Sequence, residues 1–327
     1  MSPDARAFWI SEPGRGEIRS AALPEPTEGD VLVRTLHTGI SRGTESLVFR
    51  GAVPAEQRTA MRAPFQDGDF PGPVKYGYLN VGRVERGPGW LLGSTVFCLY
   101  PHQSAYVVPV AAVVKVPDGV PARRAVLAGT VETVVNALWD AGPLIGDRIA
   151  VIGAGMVGCC AARLLGQIPG VRATLVDVDP SRAAMAAELG VSFASPGDAP
   201  TGCDLVLHTS ASAAGLQRAL ELLAPEGRVV ELSWYGDTAV TVSLGGAFHS
   251  SRLSIVASQV GTVSPAQHGR RTSAQRLALA LDLLRDPAFD VLLTGSSPFD
   301  ELPDVMPRIA AGRLSAVCHT IDYPDAR

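Results

Sequence analysis

Along the first third of the chain the hydrophobic positions fall in short alternating runs broken by proline and glycine. VLVRTLHTGI at 31–40 and SAYVVPV at 104–110 are the clearest of these. They predict a strand-rich lobe with long loops from Ala5 to about Pro121. Beyond PDGVPARRAVLAG at 117–129 the pattern changes to strand-length apolar runs alternating with helical ones, which is how βαβ units on a parallel sheet read. The expected order is strand 148–153, helix 156–167, strand 173–178, helix 181–189 closed by Gly190, strand 204–209, helix 215–223 and strands 228–233 and 253–258. An amphipathic helix over 273–284 follows, with Leu277, Leu281 and Leu284 toward the core and Arg276 and Asp282 on the opposite face. The final stretch, 298–323, reads as a short helix and a strand that could return to the first lobe.

Composition narrows the function classes. A hydrophobic fraction of 46% and a charged fraction of 18% are ordinary for a globular chain. The net charge of -4, with no run of Lys or Arg, speaks against a nucleic-acid partner. MSPDARAFWI carries no basic stretch followed by an apolar one, and no apolar run reaches membrane-spanning length, so a cytoplasmic protein without a membrane partner is expected. The five cysteines, Cys98, Cys159, Cys160, Cys203 and Cys318, form no CxxC pair. A disulfide framework or four-cysteine metal lobe is therefore not expected, and Cys159 and Cys160 read as core filling.

The strongest chemical signal is GAGMVG at 153–158, because an apolar strand enters it and a helix leaves it. Gly153 suits the tight turn, Gly155 lets a pyrophosphate approach the backbone, and Gly158 lets the helix pack on the sheet. The helix start at Met156 and Val157 offers backbone N–H groups to the phosphates. Asp177, 19 residues after Gly158, closes the next strand, where a carboxylate accepts both hydroxyls of a ribose and repels a 2′-phosphate. NAD is therefore expected ahead of NADP, with nearby Arg182 as the one residue that would favour the phosphate. His208 and, two positions on, Ser210 fall at the carboxyl edge of the sheet, where they would touch the cofactor; for His208 a buried, satisfied histidine is the plainer alternative.

With VLVRTLHTGISRGTESLVFRG at 31–51, YGYLNVGRV at 76–84 and GDRIAVIGAGMVG at 146–158, nearly the whole chain resembles a medium-chain dehydrogenase/reductase. The motif style is most similar to the bacteriochlorophyllide hydroxyethyl dehydrogenase subgroup. The resemblance implies an α/β protein with a GroES-like β-rich catalytic domain over 1–121 and 291–327. A Rossmann domain with a doubly wound parallel sheet would occupy 122–290. It also implies a dimer or tetramer, a homodimer being the expected form, through the edge strand near 253–258 or the segment after it.

The zinc ligands of the family are replaced. The cysteine position falls on Ser41 or Arg42, the GHE triplet becomes Gly77, Tyr78 and Leu79, and the junction reads 128–131 with Glu132 close by. Only Cys98 occurs where a structural zinc loop would need four cysteines. A zinc-free protein is expected. By the resemblance, Tyr78 stands in the former histidine position and Thr44 near the relay hydroxyl, with Arg42, Glu45 and Lys75 as supporting charges at a substrate oxygen. Each has a plainer reading: Tyr78 as a volume filler, Arg42 as the ion partner of Glu45. Glu132 is either an acid/base or a helix-start acid held by the dipole. His102 reads as structural or exposed, and Trp234 and Tyr235 would flank the nicotinamide.

The leading function is zinc-independent, NAD(H)-dependent interconversion of an alcohol and a ketone or aldehyde on a small or medium organic molecule. Enoyl or quinone reduction with NAD(P)H is the near alternative. A catalytically silent dinucleotide-binding sensor or scaffold is the alternative of a different class.

Overall fold

The computed structural model describes residues 5–324. Residues 1–4, part of the start read for a leader, and 325–327, the end of the expected 291–327 part of the catalytic domain, lie outside the described residues. The chain forms two compact units. One comprises the residues up to Gly129, Leu277–Asp286 and the chain from Leu293; the other comprises Thr130–Arg276 and Pro287–Leu292.

The first unit is built on the strand Asp30–Ile40, whose burial is nearly continuous because it is paired along both edges. Its Asp30–Arg34 half pairs with Ala105–Pro109, and its His37–Ile40 end pairs antiparallel with Cys318–Asp322, so the last strand does return to the first lobe. Asn80–Arg86 lies along the other edge and continues to Thr95–Cys98 and Val113–Lys115. With Leu293–Pro298 beyond Cys318–Asp322, these make a seven-stranded sheet. Val31, Val33, Val84, Val96, Tyr106 and Val108 form one core on it, and each such side chain stabilises by about 1.5–3 kcal/mol on full burial. A smaller sheet joins Arg15–Ala21, Ala5–Glu12, Val74–Lys75 and Asp67–Gly68. The GroES-like, β-rich reading holds.

In the second unit six parallel strands lie in the order Ser192–Ala194, Arg172–Val176, Arg148–Ile152, Cys203–His208, Leu223–Glu231 and Ser254–Ala257. That is the doubly wound Rossmann order. Ala150, Ile152, Val176, Val206 and Val229 face Leu216, Ala219 and Leu220 of the helix Ala213–Leu222. Burial of the central strands on both faces explains why they read as unbroken apolar runs. That helix begins two residues earlier than the pattern suggested, because the Ser212 hydroxyl accepts from the Gly215 N–H at 3.0 Å.

The helix Ser273–Leu283 corrects one expectation. Leu277, Leu281 and, just past its end, Leu284 are buried as foreseen, and Asp282 is exposed and paired with Arg285. Arg276, expected on the solvent face, is only 2% exposed. It is held by Glu132, Asn136 and the carbonyls of Val260 and Thr262. An apolar stripe reveals the face that meets the core; it cannot reveal a buried polar neighbour on another face.

Candidate active site

In the second unit the glycine loop is shaped by backbone contacts. Gly153 has φ +108, and its N–H donates to the Val176 carbonyl at 2.8 Å. A Cβ on Gly158 would overlap the Gly153 carbonyl oxygen and crowd the Thr209 hydroxyl, so the close approach of helix Met156–Gly166 to the loop requires glycine there. Thr209 secures the turn by donating to the Ile152 and Gly153 carbonyls at 3.0 and 2.9 Å. Gly155 stands at the start of that 11-residue helix with no side chain capping it, which leaves Met156 and Val157 at an end with positive potential.

Asp177 reaches this loop. One carboxylate oxygen accepts from the Ala154 N–H at 2.6 Å and the other from the Asp179 N–H at 2.9 Å. Each carboxylate oxygen has a second lone pair, so the group retains acceptor capacity for ribose hydroxyls. Arg182 is turned toward Asp179 at 3.2 Å. The loop, the uncapped helix start and the carboxylate fit a nicotinamide dinucleotide.

His208, fully buried at the end of its strand, is bonded on both ring nitrogens: to Glu231 at 2.7 Å and to Ser210 at 2.7 Å. Tyr235 donates to the same Glu231 oxygen at 2.9 Å, and its ring stacks near His208. Burial raises Glu231, but the histidine and serine bonds outweigh it and hold the carboxyl below its usual range. His208 thus takes the buried, satisfied form, and through it the Ser210 hydroxyl is oriented beside Gly153, whose Cβ would meet Ser210 backbone atoms at 2.9 Å.

The second cluster lies in the first unit. Ser41 occupies the start of helix Arg42–Phe49, immediately after the long strand. Glu45, one turn on, reaches back so that one carboxylate oxygen accepts the Ser41 N–H at 2.7 Å, filling an otherwise open donor. Its other oxygen bonds His102 Nε2 at 2.8 Å, and His102 Nδ1 bonds the Thr38 hydroxyl at 2.6 Å. The Tyr78 hydroxyl donates to Ser41 Oγ at 2.6 Å, with Thr44 also bonded to the phenol. Burial pushes the Tyr78 phenol up to about 12, the Glu45 carboxylate adding to the shift. Gly77, at φ +135, makes room for the His102 ring, which a Cβ there would press at 3.1 Å.

The predicted residues are thus divided. Tyr78, Thr44 and Glu45 come together, whereas Arg42 is exposed and Glu45 turns to Ser41 and His102 rather than to it. Lys75 points into a separate cavity with Trp9, Tyr100 and Gln103. Glu132, in the second unit, is buried against Arg276 at 3.1 Å, neither a free acid nor a surface helix-start charge. Burial raises its carboxyl, and the guanidinium opposes that shift. His102, read as structural or exposed, proves central to the cluster, and its 57-residue separation from Glu45 left no local signal. All five cysteines are buried, as core filling requires.

The donor set here is hydroxyls, a phenol and one carboxylate–imidazole pair already bonded to itself. It does not fit tetrahedral zinc, which needs about three thiolate, imidazole or carboxylate ligands. Among the described residues no group of three or more His, Cys, Asp or Glu side chains is arranged to hold a metal.

Solved structures share this architecture throughout. L-idonate 5-dehydrogenase from Escherichia coli K-12 superposes with a TM-score of 0.80, at 14% identity over 98% of this chain and 99% of that one. A zinc-binding dehydrogenase of Sinorhizobium meliloti 1021 bound to NADP gives 0.78, at 18% identity over 98% and 99%. The fold is that of a medium-chain dehydrogenase/reductase. A protein described as a short chain alcohol dehydrogenase, from Escherichia coli CFT073 and complexed with NADH, gives 0.76, at 17% identity over 98% and 99%. Among curated sequences, 2-desacetyl-2-hydroxyethyl bacteriochlorophyllide A dehydrogenase of Cereibacter sphaeroides is 29% identical over 181 residues, 48% of this chain. The chain spans about half the length of that relative, 52%. No family model matches.

Proposed function

We propose that this chain is an NAD(H)-dependent, zinc-independent oxidoreductase that interconverts an alcohol and a ketone or aldehyde on a small or medium organic substrate. The observation that carries the reading is the Tyr78–Ser41 hydrogen bond in the place where the family's metal ligands would stand. A bound nicotinamide supplies or accepts the hydride. The protein must then stabilise charge on the substrate oxygen and handle one proton.

The phenol has one proton and gives it to Ser41, so the Ser41 hydroxyl hydrogen is left to donate to a substrate oxygen. With its ionisation pushed to about 12, Tyr78 stays protonated at neutral pH and serves as donor in carbonyl reduction, the proton returning along the same Ser41–Tyr78 path when the alcohol is oxidised. Glu45 behind it fixes the Ser41 backbone N–H and is itself held by His102. On the cofactor side, Asp177 beside the loop, with Arg182 engaged by Asp179, supports NAD over NADP.

The reading includes a homodimer through the edge strand Ser254–Ala257, whose Ile255 and Val256 are exposed. It also includes a cytoplasmic location, with a small molecule, not nucleic acid or membrane, as partner. No described helix is long and apolar enough to cross a membrane. A spectrophotometric panel of alcohols, ketones, enones and quinones, each with NAD(H) and NADP(H), tests the proposal. Turnover of alcohols or ketones supports it, turnover of enones or quinones alone replaces it with double-bond reduction, and tight NADH binding without any turnover replaces it with a silent sensor. One zinc per chain by metal analysis would refute the zinc-free part.

A further inference from the structure

A cavity of about 260 Å³ opens in the first unit, lined by Trp9, Ser20, Ala22, Leu23, Asp67, Lys75, Tyr100 and Gln103 among others. None of the polar cluster around Tyr78 belongs to it. Lys75, only 8% exposed, puts its ammonium at this wall: 2.9 Å from Gln103 Oε1, and 6.0 and 5.5 Å from the ring centres of Trp9 and Tyr100, all of which line the space. The nearest carboxylate, Asp67, lies at 3.8 Å, beyond hydrogen-bond length, on a side chain 63% exposed. A buried ammonium carries three N–H donors and calls for a close counter-charge. Lys75 gives one N–H to a neutral amide, and its one carboxylate partner, Asp67, is a mostly exposed side chain paired only at 3.8 Å.

We propose that this cavity is a binding site for a small organic monocarboxylate, its carboxylate on Lys75 and its apolar body against Trp9 and Leu23. The volume lies just below the usual range for ligand pockets, so the ligand is small. Phosphate is the poorer match, because no arginine fork or run of backbone N–H groups converges here and the Asp67 carboxylate opposes a second negative charge. The site touches the Tyr78 cluster through one dipeptide: the Gln103 side chain enters the cavity while that of His102 bonds Glu45. It stands independently of the oxidoreductase reading.

Calorimetric titration of the full chain with sodium benzoate, and with inorganic phosphate as control, tests this. Benzoate should bind at one site per chain. Because a hydrogen bond to a charged group contributes about 1.5–3 kcal/mol, Lys75→Met should weaken that binding roughly tenfold or more. Ala22→Trp, at an exposed lining position, should block the cavity and weaken binding comparably while leaving the lysine intact. Circular dichroism establishes whether each variant is folded, and if Lys75→Met is not, Ala22→Trp decides. No binding of millimolar benzoate, equal binding by the folded variants, or phosphate binding as tightly as benzoate would each overturn the proposal.

Discussion

Glu45 and His102 stand 57 residues apart in sequence and meet at 2.8 Å, with their side chains 5% and 2% exposed. Such a pair is costly to break, since removing one member leaves the other's buried polar atoms without their partner, a loss of about 1–3 kcal/mol and more where the group is charged. His102→Ala should therefore lower the urea-derived stability by about 3 kcal/mol and also strip Thr38 of its hydrogen bond. His102→Gln, which keeps an amide within reach of Glu45, should recover part of the loss. A His102→Ala protein with unchanged stability would mean that the pair is not formed in solution.

Tyr78 is the residue on which the proposed chemistry turns. A positioned proton donor contributes typically 10²–10⁴-fold to rate, so Tyr78→Phe should lower kcat by roughly that range and leave the NADH dissociation constant within about twofold. Steady-state kinetics on the best substrate of the panel, with fluorescence titration of NADH, separates the two effects. Full turnover by Tyr78→Phe would leave Ser41 as the donor acting alone.

What was legible in the sequence and what was not divides by distance along the chain. The Rossmann unit could be read because its cofactor loop is contiguous: strand, Gly153, Gly155, Gly158 and helix follow one another, and Asp177 sits one βαβ step later. Ser41 and Tyr78, each within a short motif, are brought together by the fold. His102 was missed because nothing near it in sequence marks it; only the pairing of Asp30–Ile40 with Asn80–Arg86 and the segment after Cys98 carries it to Glu45. The resemblance groups Lys75 with Tyr78 as a supporting charge, but its side chain turns to Gln103, away from Ser41. Arg276 shows the same limit on a helix, where periodicity describes one face and polar partners are chosen by the fold.

Arg276 and Glu132 form the buried charge pair of the second unit, at 3.1 Å and with side chains 3% and 5% exposed. The same guanidinium holds the carbonyls of Val260 and Thr262. Arg276→Met should destabilise by about 3–5 kcal/mol, because it strands Glu132 as well as two carbonyls. Adding Glu132→Leu should restore part of this. A double-mutant cycle in urea that shows strict additivity would count against the pair.

Alkaline conditions should expose the buried thiols. Cys98, Cys159 and Cys318 are each pushed up to about 12 from 9.0, chiefly by burial, so the folded chain keeps three protons that the unfolded chain releases. Their contribution is fully present below pH 9 and is lost as pH rises from 9 toward 12. Each thiol adds about 1.4 kcal/mol per pH unit, so the combined slope is about 4 kcal/mol per unit. Denaturation midpoints measured from pH 8 to 10.5 should fall accordingly. Replacing Cys159 with alanine should flatten the slope by up to about 1.4 kcal/mol per pH unit; an unchanged slope would show that other groups control it.

Cofactor choice gives the closing test, because the geometry around Asp177 makes two distinct claims. Its carboxylate braces the loop through the Ala154 N–H and, in the proposed complex, accepts ribose hydroxyls. Asp177→Asn keeps an acceptor for the loop but removes the charge, so NADH affinity should fall by roughly tenfold, matching a loss of about 1.4 kcal/mol from a charge-assisted bond. NADPH should gain at the same time, since the repulsion of a 2′-phosphate is gone. Asp179→Ala acts from the other side by releasing Arg182 from its 3.2 Å pairing, and should raise NADPH affinity with little change for NADH. Fluorescence titration of both cofactors against the three proteins distinguishes the claims: if NADPH binds the unaltered chain as tightly as NADH, the Asp177 carboxylate does not select between them.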